Sequence, residues 1–324
     1  MIGTAQERER ELSILYPVWE NDTQWKWFRK NCERFADRVF LLDGEESYTY
    51  RDMLKLTARV SKGFYACGIQ PGMAAAVNLT NRKELIASVF ALSRLGCTAV
   101  MVNTKIADAE RDYILEKADA KFLITEKPSM FCRQIVVTQD ESQHLPRGIF
   151  WSGMLDCSVS VTEGELVELE KKYSDPNRTS TIIFTSGSTS RPKGVMLTDS
   201  MLLRSAFASA YTRHMETGRR LYVPIPLYHA MGYVEAMLTT VMVGGSMVIS
   251  GKKHTPHEHL LRIREYEVND IVCISSVMIR MMTILDDQNM QFPSMHAAYW
   301  AGLCPAWVWE KVCRVFGIKD CGNG

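Results

Sequence analysis

Ten consecutive residues, Thr185-Ser186-Gly187-Ser188-Thr189-Ser190-Arg191-Pro192-Lys193-Gly194, bring together five hydroxyl side chains, two glycines and two cations. A β-like run, Ser180-Thr181-Ile182-Ile183-Phe184, precedes them, and an apolar patch, Val195-Met196-Leu197, follows. A strand that empties into a loop of small donors presents backbone N–H groups to phosphate. Glycine lets the backbone approach the anion, hydroxyls add donors that turn to suit, and Lys193 adds a mobile point charge. The order is not that of the common P-loop, in which Gly-Lys precedes Ser or Thr and a helix follows. Pro192 removes a donor and restrains Arg191. The competing readings are a flexible flap over a triphosphate and a plain Ser/Gly surface loop.

The full string resembles the phosphate-binding signature of the adenylate-forming (AMP-binding) superfamily, which holds acyl-CoA synthetases, non-ribosomal peptide adenylation domains and beetle luciferases. The family pattern is roughly Thr/Ser-Ser-Gly-Ser/Thr-Thr-Gly-x-Pro-Lys-Gly, and Ser190 stands where a glycine is commoner. The resemblance implies that Thr185, Ser186, Gly187, Ser188, Thr189 and Lys193 hold the phosphates of ATP.

Two further segments extend it. Pro226-Leu227-Tyr228-His229-Ala230-Met231-Gly232 resembles the family's Pro-Leu-Phe-His-x-x-Gly element, which makes His229 the residue at the junction of acyl and nucleotide pockets. Ala301-Gly302-Leu303-Cys304-Pro305 resembles the loop that packs along adenine, so Gly302, Leu303 and Cys304 are expected to flank the base; Leu303-Cys304 departs from the small residues usual there. Between Ala230 and Ser250 the one charged residue is Glu235. At α-helical spacing Met231, Glu235 and Leu238 share a face, and the resemblance makes that face, with His229, a lining of the acyl pocket. A carboxylate there needs a partner. It is either a cationic group on the acid, in keeping with a likeness of Thr-Ser-Arg-Pro-Lys-Gly to the crotonobetaine/carnitine–CoA ligase branch, or a local Arg or Lys.

His254, His257 and His259 form His-x-x-His-x-His, not the i, i+4 pair of zinc peptidases. Thr255, Pro256 and Glu258 read as N-cap, first helical residue and capping-box partner, which makes the histidines a solvated helix start rather than a metal site. No Gly-x-Ser-x-Gly elbow supports a hydrolase triad.

Strand and helix patterns must position these residues. Helical spacing covers 22–38, with Trp25, Phe28, Cys32 and Phe35 on one face, and also 51–65, 83–95, 108–117, 202–211 and 231–242. Strand-like runs fall at 48–50, 74–79, 98–102, 122–125, 221–223, 246–249, 271–274 and 297–300. The alternation predicts an α/β fold with parallel sheets and helices on both faces. The polar stretch 141–178 reads as a variable connection. By resemblance the chain is an incomplete N-terminal domain over 1–324, of two interleaved sheet-and-helix subdomains, 70–210 and 22–65 plus 223–324. The expected Tyr-Gly-x-Thr-Glu segment, whose Glu holds Mg²⁺, and the C-terminal lid with its lysine would lie beyond. The reading is therefore a truncated form, with an open sheet edge at 324 that favours self-association.

Of the 324 residues 46 % are hydrophobic and 23 % charged, and the net charge of +1 makes no electrostatic case for nucleic acid. Nine scattered cysteines without a Cys-x-x-Cys pair suit a reducing compartment. No window of 18 uncharged apolar residues predicts a membrane span, and the expected location is the cytoplasm. The implied parent is an acid–thiol ligase with ATP, Mg²⁺ and CoA as cofactors and a small carboxylic acid as substrate, with a place in fatty acid metabolism. The alternative is a catalytically inactive nucleotide- or acyl-binding fragment.

Overall fold

The computed structural model describes residues 22–130, 132–142, 144–145, 147–185, 191–285, 290–318 and 320–323, the last segment by its backbone. The chain opens one sheet with β1 (Val39–Asp43) and β2 (Glu46–Thr49). It then builds a second sheet from β3 (Ala74–Asn78), β4 (Thr98–Met101), β5 (Ala120–Thr125), β6 (Arg133–Val136), β7 (Gly148–Phe150), β8 (Thr179–Thr185) and β9 (Lys193–Thr198). It returns to the first sheet with β10 (Arg220–Tyr222), β11 (Ser246–Ile249), β12 (Asp270–Ile274), β13 (Ala297–Ala301) and β14 (Asp320–Asn323). The α/β fold with two interleaved sheets agrees with the expectation.

Two compact units result. Of the described residues, the first holds those of 22–34, 51–79 and 83–207, and the second those of 35–50, 80–82 and 208–323. The sheet of the first unit runs β7-β6-β5-β3-β4-β8-β9, parallel throughout except for the antiparallel β8–β9 pair at its edge. The sheet of the second runs β14-β13-β12-β10-β11-β1-β2, again parallel but for the edge pair β1–β2. Central strands such as β3 and β11 are apolar runs because helices or other segments cover both faces.

The resemblance assigned 22–65 to the second subdomain, whereas the helices Gln24–Arg34 and Tyr50–Ala66 group with the first unit, apart from Tyr50. Local chemistry accounts for it. Trp25, Phe28 and Cys32 are buried as their spacing predicts, and Phe28 stacks on Phe90 at 3.9 Å. Gln24 Nε2 donates to the buried carboxylate of Asp199 at 2.7 Å, where burial pushes the carboxyl pKa up and Gln24 and Arg178 oppose the shift. Gly63 passes so close to Met154 that a Cβ would lie 2.5 Å from its carbonyl oxygen.

The stretch 141–178, read as a variable connection, carries β7 and the helices Trp151–Cys157 and Glu163–Tyr173. Its polarity hides a specific packing scheme. Thr162 and Glu165 form a full capping box. The buried Glu170 accepts from Trp25 Nε1 at 2.9 Å and from Arg29 Nη1 at 3.1 Å, so one acidic residue serves as a core contact. No helix among the described residues is long and apolar enough to cross a membrane.

Candidate active site

In open α/β sheets, ligands collect outside the carboxyl ends of the strands. Three of the segments singled out above leave their sheets at that end. In the first unit, β8 runs parallel to β4 and ends at Thr185. The chain returns as β9 from Lys193, and Thr185 and Lys193 are cross-strand partners with exposed side chains. Ser186, Gly187, Ser188 and Thr189, with Ser190, lie outside the described residues. Arg191 is accounted for within its unit, with its guanidinium 5.1 Å from the centre of the Tyr113 ring. The motif is therefore the connection of a β-hairpin, unlike the strand-to-helix turn of a P-loop.

A cleft of about 710 Å³ also opens in this unit, lined by Cys67, Phe122, Cys132, Arg133 and Gly148 among others. It lies by the first residues of β5, β6 and β7, the end opposite to the β8–β9 connection, and it gathers none of the residues singled out above.

In the second unit, β10 and β13 flank β12, and all three run parallel. After β10 the chain turns through Leu227–His229, with Leu227 and Tyr228 buried and His229 exposed. His229 N–H donates to the Pro226 carbonyl at 3.2 Å, and the His229 carbonyl accepts from Tyr233 N–H at 2.8 Å. The turn is tight because residue 232 is glycine: a Cβ there would sit 2.1 Å from the Pro226 oxygen.

The helix that follows is not a regular α-helix. It is a π-helix over Met231–Leu238, then α over Thr239–Met242. Its i→i+5 bonding widens the turn, so the α-spacing that aligned 231, 235 and 238 does not hold here. Met231 and Glu235 are half-buried, whereas Leu238 is fully buried. Thr239 Oγ1 donates to the Val234 carbonyl at 2.9 Å, satisfying a backbone group at the transition. The Arg213 guanidinium lies close enough to Glu235 to interact with its charge, and its Nη2 donates to the Glu235 backbone carbonyl. Burial pushes the Arg213 pKa down, while Glu235, Asp270 and Tyr299 oppose that shift.

After β13, Gly302 takes φ +93°, which favours glycine, and a Cβ would lie 2.9 Å from Ser275 Oγ. Leu303 is 87 % exposed and Cys304 half-buried. Burial pushes the Cys304 thiol pKa up. The loops bearing His229 and Gly302 thus leave one sheet edge of one unit.

The histidine trio separates. His257 is exposed. His259 is buried; its Nδ1 shares a 2.5 Å hydrogen bond with the Tyr222 hydroxyl, and its ring meets that of His254 edge-on at 5.6 Å. The capping box of Thr255 and Glu258, with Pro256 in the first turn, is present as expected. The solvated-terminus reading fails for His259, because its helix turns that residue inward. Among the described residues no group of three or more His, Cys, Asp or Glu side chains is placed to hold a metal ion.

Asn81 was invisible to pattern reading. It lies in the polar connection Thr80-Asn81-Arg82. Its Nδ2 donates to the Ile225 carbonyl and its Oδ1 accepts from Leu227 N–H, each at 2.8 Å. The available signal was an Asn after a buried strand, a residue whose amide can imitate backbone.

The chain belongs to the AMP-binding enzyme family, which it matches over residues 28–324. It is similar to a 2-succinylbenzoate–CoA ligase of Bacillus licheniformis, 28 % identical over 261 residues, covering 80 % of this chain and 51 % of that protein. It is also similar to a crotonobetaine/carnitine–CoA ligase of Escherichia coli O127:H6, 25 % identical over 289 residues, covering 84 % of this chain and 54 % of the relative. Among solved structures it resembles the anthranilate CoA ligase AuaEII in complex with anthranoyl-AMP. The TM-score is 0.82 at 17 % identity over 94 % of this chain and 60 % of that one, a likeness of fold. The chain spans about half the length of these two curated relatives.

Proposed function

We propose that this chain carries the nucleotide- and acid-binding part of an AMP-forming acyl-CoA ligase. The reaction has two halves. A carboxylate oxygen attacks the α-phosphorus of ATP; the new acyl–phosphate bond forms as the bond to pyrophosphate breaks. The thiol of CoA then attacks the acyl carbon, loses its proton, and displaces AMP as a thioester forms.

The observation that supports this reading most is the β8–β9 hairpin at the carboxyl edge of a parallel sheet in a member of this family. In the proposed roles Thr185, Ser186, Gly187, Ser188, Thr189 and Lys193 cradle the β- and γ-phosphates. His229 borders the reacting carboxylate. Gly302, Leu303 and Cys304 flank adenine, with Gly302 allowing the backbone close to the flat base. Met231 and Glu235 belong to the acyl side, where Arg213 supplies Glu235 with a counter-charge. Mg²⁺ accompanies the triphosphate as its counter-ion. The loop residues are anion ligands rather than metal ligands.

The test is ATP–pyrophosphate exchange by the full-length protein that contains this chain, across a panel of carboxylic acids. Acid-dependent exchange that falls in Lys193→Ala is expected. ATP binding without exchange for any acid would replace the ligase with a nucleotide-binding protein that does no chemistry.

A further inference from the structure

Once β10 ends, the backbone leaves its ladder while still buried: Ile225 and Leu227 are almost wholly removed from solvent. Their polar backbone groups therefore need partners inside the protein. Pro226 between them has no N–H of its own. Both groups find their partner in one side chain. Asn81, 7 % exposed, donates from Nδ2 to the Ile225 carbonyl and accepts at Oδ1 from Leu227 N–H. The amide orientation is dictated by chemistry, since a carbonyl can only accept and an N–H can only donate. A carboxylate could meet one of the two groups, and an aliphatic side chain neither.

This clamp leads directly to His229. The residue after Ile225, Pro226, accepts from His229 N–H, and the backbone of Gly232 closes on the same carbonyl. Asn81 also has a close neighbour: a Cβ on Gly251 would lie 3.2 Å from its carbonyl oxygen and 3.0 Å from Thr80 Oγ1, so Gly251 packs tightly against Thr80 and Asn81. We propose that Asn81 is a positioning residue for the acid-activating site, with its carboxamide fixing the turn that presents His229. The proposal rests on the ligase reading for its chemistry and on the two hydrogen bonds for its geometry.

The experiment compares wild type, Asn81→Ala, Asn81→Asp and His229→Ala, each in the full-length protein that contains this chain. Exchange of pyrophosphate into ATP is measured with 2-succinylbenzoate, butyrate and γ-butyrobetaine as acids. Hydrogen–deuterium exchange is followed across residues 225–233. Asn81→Ala is expected to lower kcat/KM for the acid about tenfold, as befits the loss of two buried hydrogen bonds. The KM for ATP should change less than about twofold, and the Leu227 amide should exchange faster. Asn81→Asp keeps the acceptor for Leu227 N–H and should fall between. It also serves if the alanine variant does not fold. Wild-type acid kinetics in a folded Asn81 variant, or equal losses for acid and ATP, would overturn the proposal. Unchanged kinetics in His229→Ala would instead overturn the assignment of the site. If no acid supports exchange in wild type, the ligase reading falls, and unchanged protection of Leu227 would remove the clamp as well.

Discussion

Thr185 and Lys193 face each other across the β8–β9 pair, and Thr185 Oγ1 donates to the Lys193 carbonyl at 3.4 Å. The two ends of the hydroxyl-rich connection are thus tied by the sheet itself. Lys193 extends from a strand, so its ammonium acts from a fixed base. Lys193→Ala should weaken ATP binding by about 1.5–3 kcal/mol, the loss of one charge-assisted contact. Because the side chain is exposed, stability should move by no more than about 0.5 kcal/mol. Calorimetric titration with ATP, alongside urea unfolding, separates the two; unchanged affinity would remove Lys193 from the phosphate site.

The turn before the π-helix gives a second prediction. A methyl group at residue 232 would meet backbone, the Pro226 oxygen, rather than a side chain that can swing away. Gly232→Ala should therefore cost about 1–3 kcal/mol as an overpacking change. A urea midpoint equal to that of wild type would show that the turn relaxes freely.

Glu235 and Arg213 yield a third. The charge of Glu235 bears on Arg213, whose Nη2 donates to the Glu235 backbone carbonyl, so Arg213 is the expected counter-charge in place of a cation on the substrate. Glu235→Gln is expected to lower stability by no more than about 1 kcal/mol, since the backbone hydrogen bond from Arg213 remains and Asp270 still compensates the guanidinium. Preference between betaine-type and neutral acids of similar length should stay the same. A selective loss of the betaine-type acid in the variant would turn Glu235 toward the substrate.

Two buried groups of the second unit predict opposite responses to acid. Burial, with His254, Arg280 and Arg262 adding to it and Glu258 opposing, holds the His259 pKa down at about 4 against an ordinary 6.5. Between those values the unfolded chain takes up a proton that the folded protein refuses, so this contribution is lost as pH falls from about 6.5 to about 4. Burial raises the Asp270 carboxyl to about 6 against an ordinary 3.8, with Arg219 and Arg213 lowering it and Glu216 raising it. There the folded state keeps a proton the unfolded chain releases, so stability is lost as pH rises from about 3.8 to about 6. Replacing His259 with Gln isolates the first effect. The difference in urea stability between variant and wild type should move in the variant's favour as pH drops from 7 to 4. A difference independent of pH would mean that His259 titrates normally.

The α/β class, most strand and helix positions, the hydroxyl-rich connection and the capping box at Thr255–Glu258 were legible in the sequence. Each is written in local terms: period, turn chemistry, or residue types a few places apart. The fold of 141–178 was not, because one glutamate of the helix Glu163–Tyr173, Glu170, becomes core through Arg29 and Trp25, far along the chain. Nor was the hairpin pairing of Thr185 with Lys193, since strand direction is settled by neighbours in the sheet. The π-helix changed which residues share a face with Met231, and burial changed His259 from a solvated terminus into a partner of Tyr222. Asn81 shows the reason most directly. Its two bonds reach residues more than 140 positions away, and a side chain that replaces backbone leaves no period to read. The sequence by itself determined which groups could bind phosphate and where most of the strands lie, though not β1, β6, β7 or β14; the tertiary structure alone decided which buried polar atoms meet, because that depends on packing across distant segments.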